Sequence, residues 1–489
     1  MDQLTSTTPL QVGQIIDGFK LEERLHQGGM ANLWRVSTSS GSCFGGQETL
    51  LPLIMKVPRI KGGEDPATIV GFEVEQMIMP SLSGVHVPRY VARGDWTRQA
   101  YIVMEQIQGD TLRPRLEAAP LPISEVIEIG ARVAEAIHDL HRQHVVHLDI
   151  KPSNIMFRAT GEVVLVDFGL SRHDHLPDLL EEEFSLPMGT GPYMSPEQVQ
   201  FVRNDPRSDL FALGVMLYHF ATGERPFGAP SSVQGLRRRL FEEPTPPRMI
   251  RPEVPPLLQE VVLRCLEVDP EKRYQSAAQL ALDLQSPHNI ALTARAEKMH
   301  VSGRLARFKR WFKALGNEPE SSGRASHITE QLARRPIVMA AVDVHGATDA
   351  LLEQLRETVR RVLQTEPGAR LACVSVMRTA RIGMDELTDK DGRSVHVKQL
   401  AELRHWVRPV LQALAKHSGT HTALQDGRLT FHVLEAPDVA EAIVDFAAKT
   451  QVDHIVMGAR GTTGLQRMLG SVSARVVADA SCTVTVVRE

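Results

Sequence analysis

Asp149, Lys151 and Asn154 stand close together in the run His147-Leu148-Asp149-Ile150-Lys151-Pro152-Ser153-Asn154. A carboxylate can accept the proton of an attacking hydroxyl, an ammonium can neutralise a transferred phosphate, and an amide oxygen can bind Mg2+. Asp167-Phe168-Gly169 follows the apolar stretch Val163–Val166 and offers a second hard oxygen ligand for the metal. Upstream, Lys56 sits inside Ile54-Met55-Lys56-Val57. A lysine in an apolar strand needs an anionic partner. The α- and β-phosphates of a nucleotide would serve, with Glu75 as the ion-pair partner that orients the lysine. The plainer alternative is an edge-strand lysine reaching water. In His26-Gln27-Gly28-Gly29-Met30-Ala31, Gly28 and Gly29 would let backbone amides approach phosphates with no Cβ in the way. An ordinary hairpin turn looks the same. Gly189-Thr190, followed by Tyr193-Met194-Ser195-Pro196-Glu197, reads as a substrate platform at Thr190 with a buried acid at Glu197. Phosphoryl transfer is catalysed mostly by positioning and charge stabilisation, and each of these motifs has a part in it.

The elements that must position these groups change character along the chain. Phe19 to about Arg35 reads as strand, glycine-rich turn, strand, and Leu50–Val57 as a strand carrying one lysine. Ile69–Leu82 has helical spacing, and Tyr101–Gln106 reads as a strand. Ile123–His144 is predicted as a long amphipathic helix with Val126, Ile129, Val133, Ile137 and Leu140 on one face. Residues 209–285 are mostly helical. Strand and helix then alternate from Ile337 onward: strands at Ile337–Val342, Arg370–Val376, Leu429–Leu434, His454–Met457 and Thr483–Val487, helices at Thr348–Gln364, Val397–His417 and Ala436–Lys449, and a short helix starting at Leu465–Met468. That rhythm predicts a doubly wound parallel sheet. The expected division is a tail at 1–17, a first domain at 18–285, a linker at 286–333 and a second domain at 334–489.

The bulk properties exclude several classes. A chain of 489 residues with 42% hydrophobic and 23% charged residues suits several soluble globular domains. The formal net charge of −4 gives no overall pull toward nucleic acid. Cys43, Cys265, Cys373 and Cys482 form neither a CxxC pair nor a metal-spaced cluster, which fits a reducing compartment. There is no run of apolar residues long enough to span a membrane and no basic-then-apolar leader, so the cytoplasm is the expected location.

Over roughly residues 18–285 the sequence resembles a bacterial serine/threonine kinase of the eukaryotic type. His147–Asn154 matches the HRDxKxxN catalytic loop, Asp167-Phe168-Gly169 is intact, and Ser195-Pro196-Glu197 stands for APE. The resemblance implies a bilobal α+β kinase fold, with ATP and Mg2+ (or Mn2+) as cofactors and protein Ser/Thr hydroxyls as acceptors, those of the chain itself included. It implies Asp149, Lys151, Lys56 and Glu75 as catalytic, Asn154 and Asp167 as metal ligands, and Leu25, Gly28, Gly29, Lys56, Met104 and Glu105 around ATP. Met104 is the gatekeeper of a hinge at Tyr101–Glu105. Asp209 resembles the aspartate that supports the catalytic loop, and Arg273 the partner of Glu197. The chain departs from the family at His26 and Ala31 in the glycine loop. It also departs at Leu148, where the family carries an arginine that pairs with a phosphorylated activation loop. The acidic run Glu181-Glu182-Glu183 could substitute for that phosphate; a solvated acidic loop is the plainer explanation.

Residues 336–489 resemble a universal stress protein domain. Their first strand ends in Asp343. Gly458, Gly461, Gly470 and Ser471 follow the family's closing glycine pattern with one gap a residue short. Glycines after a strand, then a helix N-terminus, can form an anion site, though a plain turn with a helix cap reads the same way. The resemblance implies a second adenine-nucleotide site at Asp343, Gly458, Gly461, Gly470, Ser471 and Val472, acting as a sensor. It also implies a homodimer through the last strand. In the linker, Leu305, Phe308, Phe312 and Leu315 fall at helical spacing among basic residues. Packing on one of the two domains is expected there, with docking on an anionic membrane surface as the alternative. The enzyme reading stands against a scaffold reading, in which a weak or inactive kinase domain binds nucleotide without transfer.

Overall fold

The computed structural model describes residues 10–27, 31–38, 51–59, 66–286 apart from 97, 185 and 231, 292–301, 309–312, 336–378 apart from 367, 395–418, 428–459 and 471–488. Gly28, Gly29, Gly461 and Gly470 lie outside these residues, as do Cys43, Leu305, Phe308, Leu315 and the short helix expected at Leu465–Met468.

The chain opens with a six-stranded antiparallel sheet ordered β1-β2-β3-β4-β6-β5. Its strands are β1 (Ile15–Ile16), β2 (Phe19–Gln27), β3 (Ala31–Thr38), β4 (Leu53–Pro58), β5 (Tyr90–Arg93) and β6 (Ile102–Glu105). Alternation decides what each face carries. On β4, Met55 and Val57 turn into an apolar layer with Phe19, Leu21, Trp34 and Val103. Lys56 therefore faces the other way, toward helix α1 (Pro66–Ile78). The short strand β5 was not read from the sequence; its residues are half-buried throughout and carry no clean alternation.

A helical lobe follows. After α2 (Arg113–Glu117), α3 (Ile123–His141) buries the predicted stripe of Val126, Ile129, Val133, Ile137 and Leu140. The helix stops short of the expected His144, because the chain turns there with His144 at φ 60°. Two small antiparallel pairs carry the catalytic motifs: β7 (Val145–Val146) with β10 (Arg172–His173), and β8 (Ile155–Phe157) with β9 (Val163–Leu165). Then come α4 (Leu179–Glu183), α5 (Pro196–Val199) and the nearly wholly buried α6 (Arg207–Thr222).

The second domain is a five-stranded parallel sheet ordered β13-β12-β11-β14-β15. Its strands are β11 (Ile337–Ala341), β12 (Arg370–Arg378), β13 (Leu429–Ala436), β14 (His454–Ala459) and β15 (Thr483–Arg488). Helices Asp349–Thr365 and Val395–Ser418 cover one face; Val439–Lys449 and Ser471–Asp479 cover the other. The strand order reverses between β11 and β14, where open α/β sheets bind ligands at their carboxyl ends. Between the domains, Thr293 and Arg295 hydrogen-bond to Glu260 and Arg310 pairs with Glu243, so these described linker residues pack on the helical lobe. Among the described residues, no helix is long and apolar enough to cross a membrane.

Candidate active site

The β7–β10 and β8–β9 pairs bring the two acidic motifs to the mouth of the cleft between the lobes. Lys56 Nζ lies 2.5 Å from Glu75 Oε2 and 2.8 Å from Asp167 Oδ1. Burial works against the Lys56 charge, but the Asp167 and Glu75 carboxylates outweigh it and hold the ammonium above its ordinary range. Lys56 in turn holds the Asp167 carboxyl below its own. The edge-strand alternative is therefore excluded: Lys56 is half-buried and paired on both sides.

The helix that supplies Glu75 is held against Asp167-Phe168-Gly169 by a glycine pair. A Cβ on Gly71 would meet the carbonyl oxygen of Gly169 at 3.0 Å, closer than side chains normally approach backbone. Phe168 is fully buried, with its ring 5.2 Å from that of His147.

Asp149 is surrounded by donors. Its Oδ1 accepts from Thr190 Oγ1 at 2.7 Å and from the Thr190 amide at 3.2 Å. Its Oδ2 lies 2.6 Å from Lys151 Nζ and accepts from Asn154 Nδ2 at 3.0 Å. Lys151 also donates to Thr190 Oγ1 at 2.8 Å. Catalytic loop and platform thus meet through one carboxylate. Asp209 fixes the backbone beneath it: its oxygens accept from the amides of His147 at 2.9 Å and Leu148 at 2.8 Å, and from His141 Nε2 at 2.8 Å. That grip holds Leu148 at φ 62°, a left-handed conformation an L-residue adopts only when its surroundings enforce it. Leu148 itself is buried. Glu197 and Arg273 form a buried two-bond pair at 2.5 and 2.8 Å.

The residues implied around ATP are placed unevenly. Leu25 sits half-buried at a register irregularity of β2 against β3. Met104 is buried on β6. The Glu105 amide donates to Arg89 O at 2.9 Å, and its carboxylate takes both arms of Arg158, so that side chain fixes the end of the strand. Arg158 was not singled out in the sequence, since nothing local marks its partner. Arg239 was missed too. It is fully buried and donates to the carbonyls of Gly191, Met194 and Leu236, shaping the segment after Thr190, and burial pulls its guanidinium down to about 10.

The oxygen donors fit a hard divalent cation. Asn154 spends its amide N–H groups on Asp149, which leaves Oδ1 as its ligand atom, met by the Ser153 hydroxyl at 3.3 Å. Asp167 engages one oxygen with Lys56 and keeps 43% of its side chain accessible. Two protein oxygens completed by phosphate and water suit Mg2+.

In the second domain, Asp343 follows β11 and accepts from the Gly346 amide at 2.9 Å. Gly458 lies at the carboxyl end of the neighbouring β14, and Ser471 and Val472 open the helix Ser471–Asp479. Asp343 and Gly458 thus stand at the carboxyl ends of the two neighbouring strands where the order reverses. A Cβ on Gly458 would meet Leu351 at 3.1 Å, so helix packing accounts for a glycine there independently of any ligand.

An antiparallel-sheet lobe, a helical lobe and this constellation define a protein kinase domain, and the five-stranded parallel sheet with helices on both faces a doubly wound α/β domain. Family comparison agrees: a protein kinase domain is matched over residues 57–283 and the universal stress protein family over residues 335–488. The chain therefore carries a protein kinase domain and a C-terminal universal stress protein domain. It is similar to serine/threonine-protein kinase PknB of Mycobacterium leprae, 34% identical over 240 residues, which covers 48% of this chain and 38% of that protein. It is also similar to a probable serine/threonine-protein kinase of Clostridium perfringens, 29% identical over 276 residues, covering 56% and 39%. A probable PknB of Lactococcus lactis is 29% identical over 298 residues, covering 60% and 45%. The chain thus spans less than half the length of these relatives.

Proposed function

We propose that this protein transfers the γ-phosphoryl group of Mg-ATP to Ser or Thr hydroxyls of proteins, its own included, and that its C-terminal domain senses an adenine nucleotide. The observation that carries the first part is the closed set of Lys56, Glu75 and Asp167 beside Asp149, Lys151 and Thr190. In this reading Asp149 orients the acceptor hydroxyl and takes its proton, a role its hydrogen bond to Thr190 Oγ1 already rehearses. Lys56 holds the α/β-phosphates, and Lys151 neutralises the group in flight. Asn154 and Asp167 would hold Mg2+, or Mn2+ in its place, which when bound supplies charge neutralisation at the phosphates. Leu25, Gly28, Gly29, Met104 and Glu105 are proposed to enclose the nucleotide.

The kinase unit is proposed to run from 18 to 285, the linker from 286 to 333 and the sensor from 334 to 489. The antiparallel sheet begins at Ile15, well before the matched range, which supports counting the N-terminal strands as part of the kinase unit. The second site is proposed at Asp343, Gly458, Gly461, Gly470, Ser471 and Val472. Strand β15 pairs with β14 on one side and lies at the edge of the sheet, which favours a homodimer through it. Cys265, Cys373 and Cys482 are unpaired, in keeping with a cytoplasmic location.

The test is transfer of labelled phosphate from ATP and Mg2+ to the intact protein and to a generic basic protein, with Asp149→Asn beside the natural chain. Label that vanishes with the substitution establishes the kinase. Bound ATP without label leaves a nucleotide-binding scaffold.

A further inference from the structure

The acidic run Glu181-Glu182-Glu183 is not a solvated loop. Helix α4, which carries it, lies between α1 of the kinase domain and β13 of the C-terminal domain. Arg370, the first residue of β12, grips Glu182 with two parallel hydrogen bonds of 2.7 Å. Both side chains are nearly buried, 11% and 12% exposed. Arg370 is itself steadied by Thr430 Oγ1 at 2.8 Å. On the next residue, Glu183 Oε1 lies 2.9 Å from His432 Nδ1, and beyond it Lys449 donates to the Phe184 carbonyl at 3.2 Å. A separate pair reaches α1. Arg404 binds Glu73, two residues before Glu75, while its guanidinium sits 4.5 Å from the Phe431 ring centre and 5.7 Å from that of Trp96.

Three features make these contacts more than incidental packing. The residue before Asp149 is the buried, uncharged Leu148, so the cation that meets Glu182 and the imidazole that meets Glu183 come from the other domain. The two elements held are α1, which carries Glu75, and the segment between Asp167 and Thr190. Those are the parts whose placement decides whether a kinase cleft is closed. Finally, a half-open pocket of about 390 Å3 lies at the interface beside Arg404, lined by Glu73, Gln76, Arg93 and Phe431 among others. Apolar side chains of both domains, Leu179 and Leu180 with Leu429 and Phe431 among them, belong to one core there, and the charged pairs at its margin fix the register. Bidentate arginine–carboxylate pairs fix geometry as well as energy.

We propose that Arg370, together with Arg404 and His432, positions the catalytic machinery. The C-terminal domain holds α4 and α1 so that the Lys56–Glu75–Asp167 set stays closed, and Glu182 takes in this chain the place of a phosphate on the segment. This rests on the kinase reading above. It makes the coupling between the domains an activating one, since removing the clamp frees α1 to swing and carry Glu75 away from Lys56.

The experiment uses the full chain with Arg370→Gln, Arg370→Lys, and the exchange Glu182→Arg with Arg370→Glu. Steady-state transfer to a basic peptide gives kcat and the KM for ATP, and hydrogen exchange is followed in residues 66–78 and 179–184. Losing a charge-assisted pair is expected to lower kcat about tenfold or more with little change in KM. Exchange in both segments should speed up while that of β11 stays slow, which shows the sheet still folded. Arg370→Lys should fall between, and the exchanged pair should recover most of the rate. An unchanged or raised kcat in Arg370→Gln overturns the proposal, and so does unchanged exchange in both segments. Were the natural chain to transfer no phosphate, the kinase reading would fail by itself, and the exchange data would still decide whether the clamp holds α1 and α4.

Discussion

The cleft around Asp149 and the carboxyl edge of the C-terminal sheet each bring acids, glycines and chain turns to a place where a nucleotide could sit. They differ in how their polar groups are held. In the cleft every side chain answers another: Lys56 to Glu75 and Asp167, Asp149 to Thr190, Lys151 and Asn154, Asp209 to two amides. At the sheet edge the candidates are mainly backbone. Asp343 serves the turn at Gly346, and Gly458 makes room for Leu351. Side chains that must pay for burial with partners leave a legible pattern of residue types. A site built from amides leaves only glycines and spacing, which turns and close packing also produce.

The comparison can be broken most sharply at Asp149. Replacing it by Asn keeps the shape and removes the proton acceptor, so transfer should fall about 10²–10⁴-fold. Unchanged ATP binding in the same variant, measured by calorimetry, would show that the cleft is otherwise intact. Next comes the scaffold beneath it. Arg273→Met leaves Glu197 charged and unpaired in the interior, a change worth about 3–5 kcal/mol. Denaturant unfolding should show that loss in the kinase transition, while a separate transition of the C-terminal domain stays put.

The sheet edge calls for a finer pair of variants. Asp343→Ala should weaken adenine-nucleotide binding to the C-terminal domain by about tenfold, the worth of one hydrogen bond to a charged group. Gly458→Ala should change it little, since the Leu351 side chain can give way. Equal losses in both would mean that Gly458 meets the ligand directly.

The smallest effect is a pH dependence of the clamp between the domains. Burial, with the Glu73 and Glu182 carboxylates nearby and Lys449 opposing, pushes Glu183 well above its ordinary 4.5. Burial, with Arg370 adding to it, pulls His432 well below its ordinary 6.5. The raised carboxyl favours docking at low pH and loses that contribution as pH rises; the depressed imidazole favours docking at high pH and loses it as pH falls. Where both groups titrate, the two slopes oppose one another. Above 6.5 the undocked histidine is already neutral and only the Glu183 contribution is left, which docking loses as pH rises through the raised carboxyl range. Energy transfer between dyes on the two domains should fall as pH rises through that range, and Glu183→Gln should flatten the fall.

Much of the kinase half was legible in the sequence. Lys56 within an apolar strand, Asp149 and Asn154 in one loop, and the stripe on α3 state their own requirements, because a buried charge needs an opposite charge and an amphipathic helix needs a core. The acidic run Glu181-Glu182-Glu183 was read chiefly as a solvated loop, and Glu73, Arg370, Arg404 and His432 were not singled out at all. Each looks like an ordinary surface residue when its own element is considered alone. Arg370 opens a strand whose following residues are an apolar run with no mark of a charged partner, and Glu73 lies two residues from Gly71 and from Glu75, on a different side of α1. Local periodicity determined which residues each element buries and which chemistry the first domain carries. Which element lies against which was decided only by the fold, because a pair such as Arg370 and Glu182, separated by 188 positions, exists only once two folded surfaces meet.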